Sequence, residues 1–262
     1  MDFITGATGI VGRELASQLI SAGHTVKALC RTNSDVTSVE NLITSRGLSL
    51  DRLTWVEGEL NDTPSLESAL EGCTRVFHVA ALVSFHPLDA ASLLETNVEG
   101  TKNLVNAMLH QDVKTLVYVS SVAALGRQEN KIVDEKTPFE DGIGVTGYSR
   151  SKYLAELEVW RGQEEGLSVA VVNPSIIIGA GDFTRSSAEL FPQIHAGLSF
   201  YPAGSSGYVS SSDVAKACVL LADKNVRGER VLLNSENRSY KSLMCEIAIA
   251  LNVKPPFQVV KP

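Results

Sequence analysis

Tyr148 and Lys152 stand four residues apart in Tyr148-Ser149-Arg150-Ser151-Lys152. On a helix that spacing puts both side chains on one face, one turn apart. The chemistry open to such a pair is proton transfer. A free phenol has a pKa near 10 and is a poor acid–base group at neutral pH. A neighbouring ammonium favours the phenolate and draws that value down. Tyr148 would then give a proton to a carbonyl oxygen or take one from an alcohol. Ser121 ends the apolar run Leu116-Val117-Tyr118-Val119-Ser120. Its hydroxyl would hold the substrate oxygen beside the phenol, and Ser120 reads as a strand-end serine that satisfies loop backbone. With six tyrosines in the chain, coincidence also produces such a pair, so it needs a site around it.

A second motif supplies that site. Thr5-Gly6-Ala7-Thr8-Gly9-Ile10-Val11-Gly12 follows the short apolar stretch Phe3-Ile4. A strand running into a helix turns sharply at Gly6. The backbone at Gly9 comes close to a pyrophosphate, and Gly12 lets the helix pack tightly on the strand. The helix N-terminus then offers N–H groups and positive dipole to phosphates. Gly6, Thr8, Gly9, Ile10, Val11 and Gly12 are therefore expected to bind a dinucleotide. An ordinary strand–helix turn is the alternative. With a nicotinamide coenzyme in place, hydride would move at the carbon while Tyr148 serves the oxygen. Lys152 would also bond the nicotinamide ribose.

These residues need a scaffold that gathers strand ends. Strand-like runs at 25–30, 53–57, 75–79, 116–120 and 169–172 alternate with helical patterns at 14–22, 64–70, 90–110 and 148–165. Thr63 and Pro64 open the second of those helices. The strands are nearly all apolar, as when helices cover both sheet faces. The fold class predicted is α/β, a doubly wound Rossmann-type parallel sheet with a small C-terminal substrate lobe. Residues 1–174 form the dinucleotide-binding domain, with return segments from 208–235, and 175–262 are mainly the lobe. Within that tail, 183–196 and 240–251 read as helices, 230–233 as a strand and 202–207 as a glycine-proline stretch. Asp213 reads as the cap of a helix running to Leu221.

The 262 residues carry a net charge of −7 with no basic cluster, which argues against a nucleic-acid partner. Cys30, Cys73, Cys218 and Cys245 are scattered, without metal-ligand spacing. They read as reduced, mostly buried thiols, and no metal is expected. Met1 leads almost at once into the first strand and no apolar run is long enough to span a bilayer. The expectation is a cytoplasmic protein with no membrane partner.

In order and spacing, the glycine loop, the serine after strand five and the Tyr–Lys helix resemble the short-chain dehydrogenase/reductase superfamily. The resemblance is to its extended branch, the NAD-dependent epimerase/dehydratase family, and runs nearly end to end. It includes Phe77-His78-Val79-Ala80-Ala81, Asn97-Val98-Glu99-Gly100-Thr101-Lys102-Asn103 and Asn173-Pro174-Ser175 with Gly179-Ala180-Gly181-Asp182. The last of these is most similar to the dihydroflavonol-reductase-like subgroup. Nucleotide-sugar epimerases more often show Arg two or three residues before Asn, then Val-Tyr-Gly-Pro, where Val171-Val172 and Ile176-Ile177-Ile178 stand here. Sugar dehydratases place Asp-Glu behind the active hydroxyl, where Val122-Ala123 stand here.

The resemblance implies a catalytic trio of Ser121, Tyr148 and Lys152. Asn97 would hold the long helix near the site, or serve only as a helix-bending polar residue. The Ala80-Ala81 backbone would pass the adenosine ribose and pyrophosphate, and Glu59-Leu60 would approach the adenine. Glu59 is otherwise an exposed loop acid. Pro174 and Ser175 would flank the nicotinamide. His78 reads as a buried strand-end histidine with a backbone partner, and His86 and His195 as surface residues.

A carboxylate at the end of strand two usually bonds the ribose 2′-hydroxyl of NAD. Here Arg31 follows Cys30 and suits a 2′-phosphate. NADP is the expected coenzyme. The alternative is NAD, with Arg31 solvated or stacked on adenine. Pocket segments 83–88, 125–127, 143–146 and 184–191 are mixed apolar and polar, which suits a small carbonyl or alcohol substrate. Ser210 and Ser212 stand where relatives tend to have Asp and Arg, and the chain is shorter than most relatives. A homodimer through helices 90–110 and 148–165 is expected. The alternative functions are a nucleotide-sugar epimerase with tightly held NAD, and a regulator that binds the coenzyme without turnover.

Overall fold

The computed structural model describes residues 1–126, 132–142, 144–183 and 186–260. Of the expected pocket segments, Arg127, Ile143, Thr184 and Arg185 lie outside the described residues. The elements in chain order are β1 (Asp2–Thr5), α1 (Ile10–Ser21), β2 (Val26–Cys30), α2 (Thr37–Ser45), β3 (Leu53–Glu57), α3 (Thr63–Leu70) and β4 (Arg75–His78). Then come α4 (Ala90–Leu93), a π-helical segment (Leu94–Glu99), α5 (Gly100–His110), β5 (Thr115–Val119), α6 (Gly147–Glu164), β6 (Ser168–Pro174) and β7 (Ile176–Ile178). The last part holds α7 (Leu190–His195), β8 (Phe200–Pro202), β9 (Ser205–Ser210), α8 (Ser211–Asp223), β10 (Glu229–Leu233), β11 (Glu236–Ser239), α9 (Tyr240–Ala250) and β12 (Gln258–Val260).

Seven strands form one parallel sheet in the order β10-β6-β5-β4-β1-β2-β3. The order reverses between β1 and β4, which opens a crevice at their C-terminal ends. Strand residues alternate between two apolar layers. Val117 and Val119 of β5 join Val11, Leu15 and Leu19 of α1 and Val214 and Cys218 of α8. Leu116 and Tyr118 face the other way, onto Leu66 of α3, Leu104 and Met108 of α5 and Ala155 and Val159 of α6. Both faces are covered, as the apolar strands required.

Side-chain oxygens set where helices start. Asp62 accepts from Ser65 N ahead of α3, with Pro64 in the first turn. Thr146 Oγ1 accepts from Ser149 N (3.0 Å) and fixes the start of α6. The α8 cap corrects the expectation for Asp213. Ser210 is the N-cap; its hydroxyl accepts from Asp213 N (3.0 Å) and donates to the Asp213 carboxylate (2.8 Å). The hydroxyl and the acid three residues on satisfy each other, so the helix starts earlier than a lone acid cap implied.

Two further elements differ from the expectation. The 202–207 stretch runs into β9, which pairs with β7 and β11 in a three-stranded sheet, while β8 and β12 form a two-stranded one. Helix α2 was invisible because it buries only Val39 and Ile43, too few apolar residues to show a period. In the C-terminal part, Ile194, Met244, Ile247 and Ala248 make a separate small core. Among the described residues, no helix is long and apolar enough to cross a membrane.

Candidate active site

The crevice starts at the β1–α1 turn. Gly6 has φ +72°, and a Cβ there would lie 2.6 Å from Ala80 N and 2.7 Å from Ala80 Cα. The glycine turn and the end of β4 are therefore pressed together, which places Ala80 and Ala81 beside it. A Cβ at Gly12 would lie 2.1 Å from Gly6 O and 2.7 Å from Ala7 Cα. Gly12 is thus needed by the turn itself, which corrects the expected helix-on-strand reason. Gly9 is exposed, and a Cβ there meets only Gly6 O at 3.3 Å. Helix α1 starts without a side-chain cap. Val11 and Gly12 are buried, so Ile10, Val11 and Gly12 offer a ligand mainly backbone N–H groups. Thr8 is half-buried at the rim.

A cavity of about 310 Å³ lies off the ends of β2 and β3, lined by Arg31, Thr32, Glu57, Gly58, Glu59, Asp62 and Ser65. Thr32 Oγ1 donates to Glu57 (2.6 Å), and the Arg31 guanidinium stays exposed. Leu60 is fixed against α5: its carbonyl accepts from Asn103 Nδ2 (3.1 Å), and its side chain fills the space beside Gly100. An uncapped helix start for a pyrophosphate and a polar cavity for an adenosine fit a dinucleotide. Pro174 and Ser175 are buried at the end of β6, and the Ser175 hydroxyl has no hydrogen-bond partner.

The reactive groups meet at the next strand ends. Ser121 opens a short 3-10 turn, Val122–Ala124, and its hydroxyl accepts from Ala123 N (3.1 Å). The phenol of Tyr148 lies close enough to that hydroxyl to be influenced by it. Phe85 packs edge-on against Tyr148, with ring centroids 5.6 Å apart. Burial pushes the Tyr148 pKa up, and the Ser121 hydroxyl works against that.

Lys152 departs from expectation. It is 1% exposed, and its Nζ donates to Tyr118 Oη (2.8 Å) and Val119 O (2.9 Å) rather than to Tyr148. The chain's own residues therefore raise the Tyr148 pKa, where a lowered one was expected. The physical reason is burial: Lys152 reaches inward over β5. Desolvation brings its pKa down to about 7, opposed by the negative charge of Glu156.

Asn97 is buried in the π-helical segment, a wider turn that aims its side chain inward. Its Nδ2 donates to Leu82 O (2.9 Å) and Ser151 Oγ (2.9 Å), and its Oδ1 accepts from Leu82 N (2.7 Å). Ser151 Oγ in turn donates to Tyr148 O (2.9 Å). Asn97 so ties the loop after β4 to the helix that carries Tyr148. The bland reading, a helix-bending polar residue, does not describe it.

Ser120 also differs from expectation. Its hydroxyl donates to the buried carboxylate of Glu156 (2.7 Å), not to loop backbone. Glu156 accepts as well from Asn173 Nδ2 (3.0 Å), Trp160 Nε1 (3.2 Å) and Arg230. Asn173 Nδ2 also donates to Ser121 O (2.9 Å), which fixes the reactive serine's backbone. Sequence reasoning missed Tyr118 and Glu156, while Phe85 falls within the expected pocket segment 83–88. A signal existed for both missed residues. Period-2 alternation places Tyr118 on the α6 side of β5, and Glu156 continues the Tyr148–Lys152 spacing by one more turn.

His78 is fully buried, and both ring nitrogens bond side chains: Nδ1 to Thr5 Oγ1 (2.6 Å), Nε2 to Thr101 Oγ1 (2.9 Å). This replaces the expected backbone partner. Desolvation, and secondarily the Lys152 charge, lowers its pKa from 6.5 to about 3. Between those values the unfolded chain binds a proton that the folded one refuses, so stability falls as pH drops below 6.5. Urea denaturation at pH 7 and pH 5 is expected to show the parent losing about 2 kcal/mol more than His78→Gln. Equal losses in both proteins would contradict the assignment.

Comparison with known proteins gives the family and the fold. The sequence model of the NAD dependent epimerase/dehydratase family matches residues 3–233. The chain is 34% identical over 239 residues to sterol demethylase protein B of Methylococcus capsulatus, covering 89% of this chain and 69% of that protein. It is 31% identical over 230 residues to cinnamoyl-CoA reductase 1 of Petunia hybrida, covering 83% and 67%. The crystal structure of gox2253 matches at a TM-score of 0.88 and 33% identity, covering all of this chain and 78% of that one. UDP-glucose 4-epimerase of Thermus thermophilus, solved in complex with NAD, shares the fold at a TM-score of 0.81 and 20% identity, covering all of this chain and 86% of that one. From its glycine turn through its last sheet strand, the chain belongs to the NAD dependent epimerase/dehydratase family, the extended branch of the short-chain dehydrogenases/reductases.

Proposed function

We propose that this chain is an NADP-dependent reductase of a ketone or aldehyde on a small organic molecule. The observation that carries the reading is that the Ser121 hydroxyl comes close enough to the buried Tyr148 phenol to draw its pKa down against burial. Gly6, Thr8, Gly9, Ile10, Val11 and Gly12 would hold the pyrophosphate. Ala80, Ala81, Glu59 and Leu60 would flank the adenosine, and Pro174 and Ser175 the nicotinamide. The bound coenzyme supplies the hydride. Ser121 holds the carbonyl oxygen and Tyr148 gives it a proton. Lys152, an ammonium next to that helix turn, favours negative charge on the phenol as the proton leaves. Asn97 keeps the turn carrying Tyr148 in place.

Residues after 174, with the Phe183–Phe191 aromatic pair at 6.0 Å, would cover the substrate. A homodimer would form through α4–α5 and α6, where Leu94 and Leu157 are 41% and 44% exposed. A panel of aldehydes, ketones and nucleotide sugars, followed by NADPH absorbance, tests the reaction class. Net NADPH consumption with carbonyl compounds supports the reductase. Tightly bound NAD with no consumption would replace it by the epimerase reading.

Arg31 supports the choice of coenzyme, since its cation faces the cavity at the end of β2. Arg31→Ala is expected to lower the ratio of kcat/KM for NADPH over NADH by at least about tenfold, one lost charge-assisted contact. An unchanged ratio would remove Arg31 from coenzyme selection.

A further inference from the structure

We propose that Tyr118 is a positioning residue of this site: a second, buried phenol whose oxygen accepts from the Lys152 ammonium and holds it in place. The inference rests on the reading of Lys152 as part of the catalytic group.

Proton directions in the surrounding network follow from donor and acceptor capacity. Thr5 Oγ1 accepts the N–H groups of Val79 and Ala80 (3.2 Å each), and its own proton goes to His78 Nδ1. His78 Nε2 therefore carries the ring proton and donates to Thr101 Oγ1. The single Thr101 proton goes to Asn97 O (2.6 Å), which can only accept. Thr101 therefore has no proton left to give the nearby Tyr118 oxygen. That leaves the Tyr118 oxygen with lone pairs facing Lys152 Nζ at 2.8 Å. Every proton from Thr5 through His78 to Thr101 has one place to be.

The consequence is for Lys152. Two of its three N–H groups are taken, by Tyr118 and Val119 O, and one remains for the crevice. Tyr118 and Lys152 are each only 1% exposed, so water cannot replace a lost acceptor. The ammonium also stands 4.5 Å from the Tyr118 ring centroid. Other titratable groups facing it are His78 from β4, Tyr148 and Glu156 on α6, and Arg230 of β10 through its pair with Glu156. His78 stays neutral above pH 4, since its pKa lies at about 3. Lys152, held near 7, is the group of this set poised at neutral pH.

The test compares parent and Tyr118→Phe, using the full chain labelled with ¹³C at the lysine ε-carbons. The Lys152 signal is assigned by its loss in Lys152→Met. In the coenzyme-free protein, the Lys152 titration midpoint is expected to fall by about one pH unit in Tyr118→Phe, because the ammonium loses an acceptor. The alkaline limb of kcat/KM with NADPH should move down with it, while the low-pH plateau stays put. An unmoved midpoint and limb would overturn the proposal. So would a uniform loss of activity at every pH, which is what a merely structural role produces. Should Tyr118→Phe fail to fold, Tyr118→Met removes the same acceptor while filling the space. The midpoint then moves the same way, and an unmoved one overturns the proposal. If Lys152→Met instead keeps full reductase activity, the catalytic reading of Lys152 fails, and the proposal with it.

Discussion

Tyr148→Phe is expected to lower kcat for carbonyl reduction by about a thousandfold while NADPH binds nearly as in the parent. In the proposed reaction the phenol gives a proton to the carbonyl oxygen, and general acid catalysis of this kind is worth about 10² to 10⁴ in rate. Ser121 cannot take over. Its hydroxyl already accepts from Ala123 N, and without Tyr148 it has no acid behind it. The substitution is mild structurally. The ring keeps its edge contact with Phe85, Thr146 still caps α6, and only the phenol's polar contact near Ser121 is lost. Steady-state rates with a fluorescence titration of NADPH separate the two effects. Equal rates in mutant and parent would remove Tyr148 from the chemistry.

Gly12→Ala is expected to weaken NADPH binding by about a hundredfold and to lower stability by about 1–3 kcal/mol, the range for forced overpacking. The new Cβ would sit 2.1 Å from Gly6 O and 2.7 Å from Ala7 Cα. Both neighbours are backbone, so the turn has to open, and the N–H groups that would face the pyrophosphate move with it. Gly9→Ala is the informative control. Its Cβ meets only Gly6 O, at 3.3 Å, and the residue has an ordinary φ of −78°. That variant should melt like the parent yet lose NADPH affinity, because its methyl points toward the ligand. Calorimetry with NADPH titration reads both quantities. A Gly12→Ala protein that binds and melts normally would show that the turn is not the coenzyme's cradle.

Much of the architecture could be read from residue order because parallel strands in such a sheet are almost wholly apolar. The run Leu116 to Val119 announced β5, and regular alternation with helices announced the parallel sheet. Helix ends were less legible. Ser210 rather than Asp213 caps α8 because the two side chains satisfy each other, a choice that spacing alone leaves open. Helix α2 and strand β9 carry too few buried apolar residues to reveal a period.

Legibility of the site divides in the same way. The glycines announced themselves through spacing, although Gly12 turned out to serve the turn and not the strand. What spacing could not give was the aim of a long side chain. Tyr148 and Lys152 share a helix face, yet Lys152 runs inward to Tyr118 and Val119 O. The partner that decides this, Tyr118, lies 34 residues from Lys152 in the chain. Ser120 and His78 were assigned backbone partners for the same reason, and their actual partners, Glu156 and the threonines Thr5 and Thr101, come from distant segments.

The central claim is hydride transfer to a carbonyl carbon beside Tyr148. Its most direct test is mass spectrometry of the alcohol formed when the purified chain reduces a carbonyl compound with NADPH deuterated at C4 of the nicotinamide, each face labelled in turn. The account predicts one deuterium on the former carbonyl carbon from one of the two labelled faces, lost in Tyr148→Phe along with turnover. Product without label from either face would contradict it.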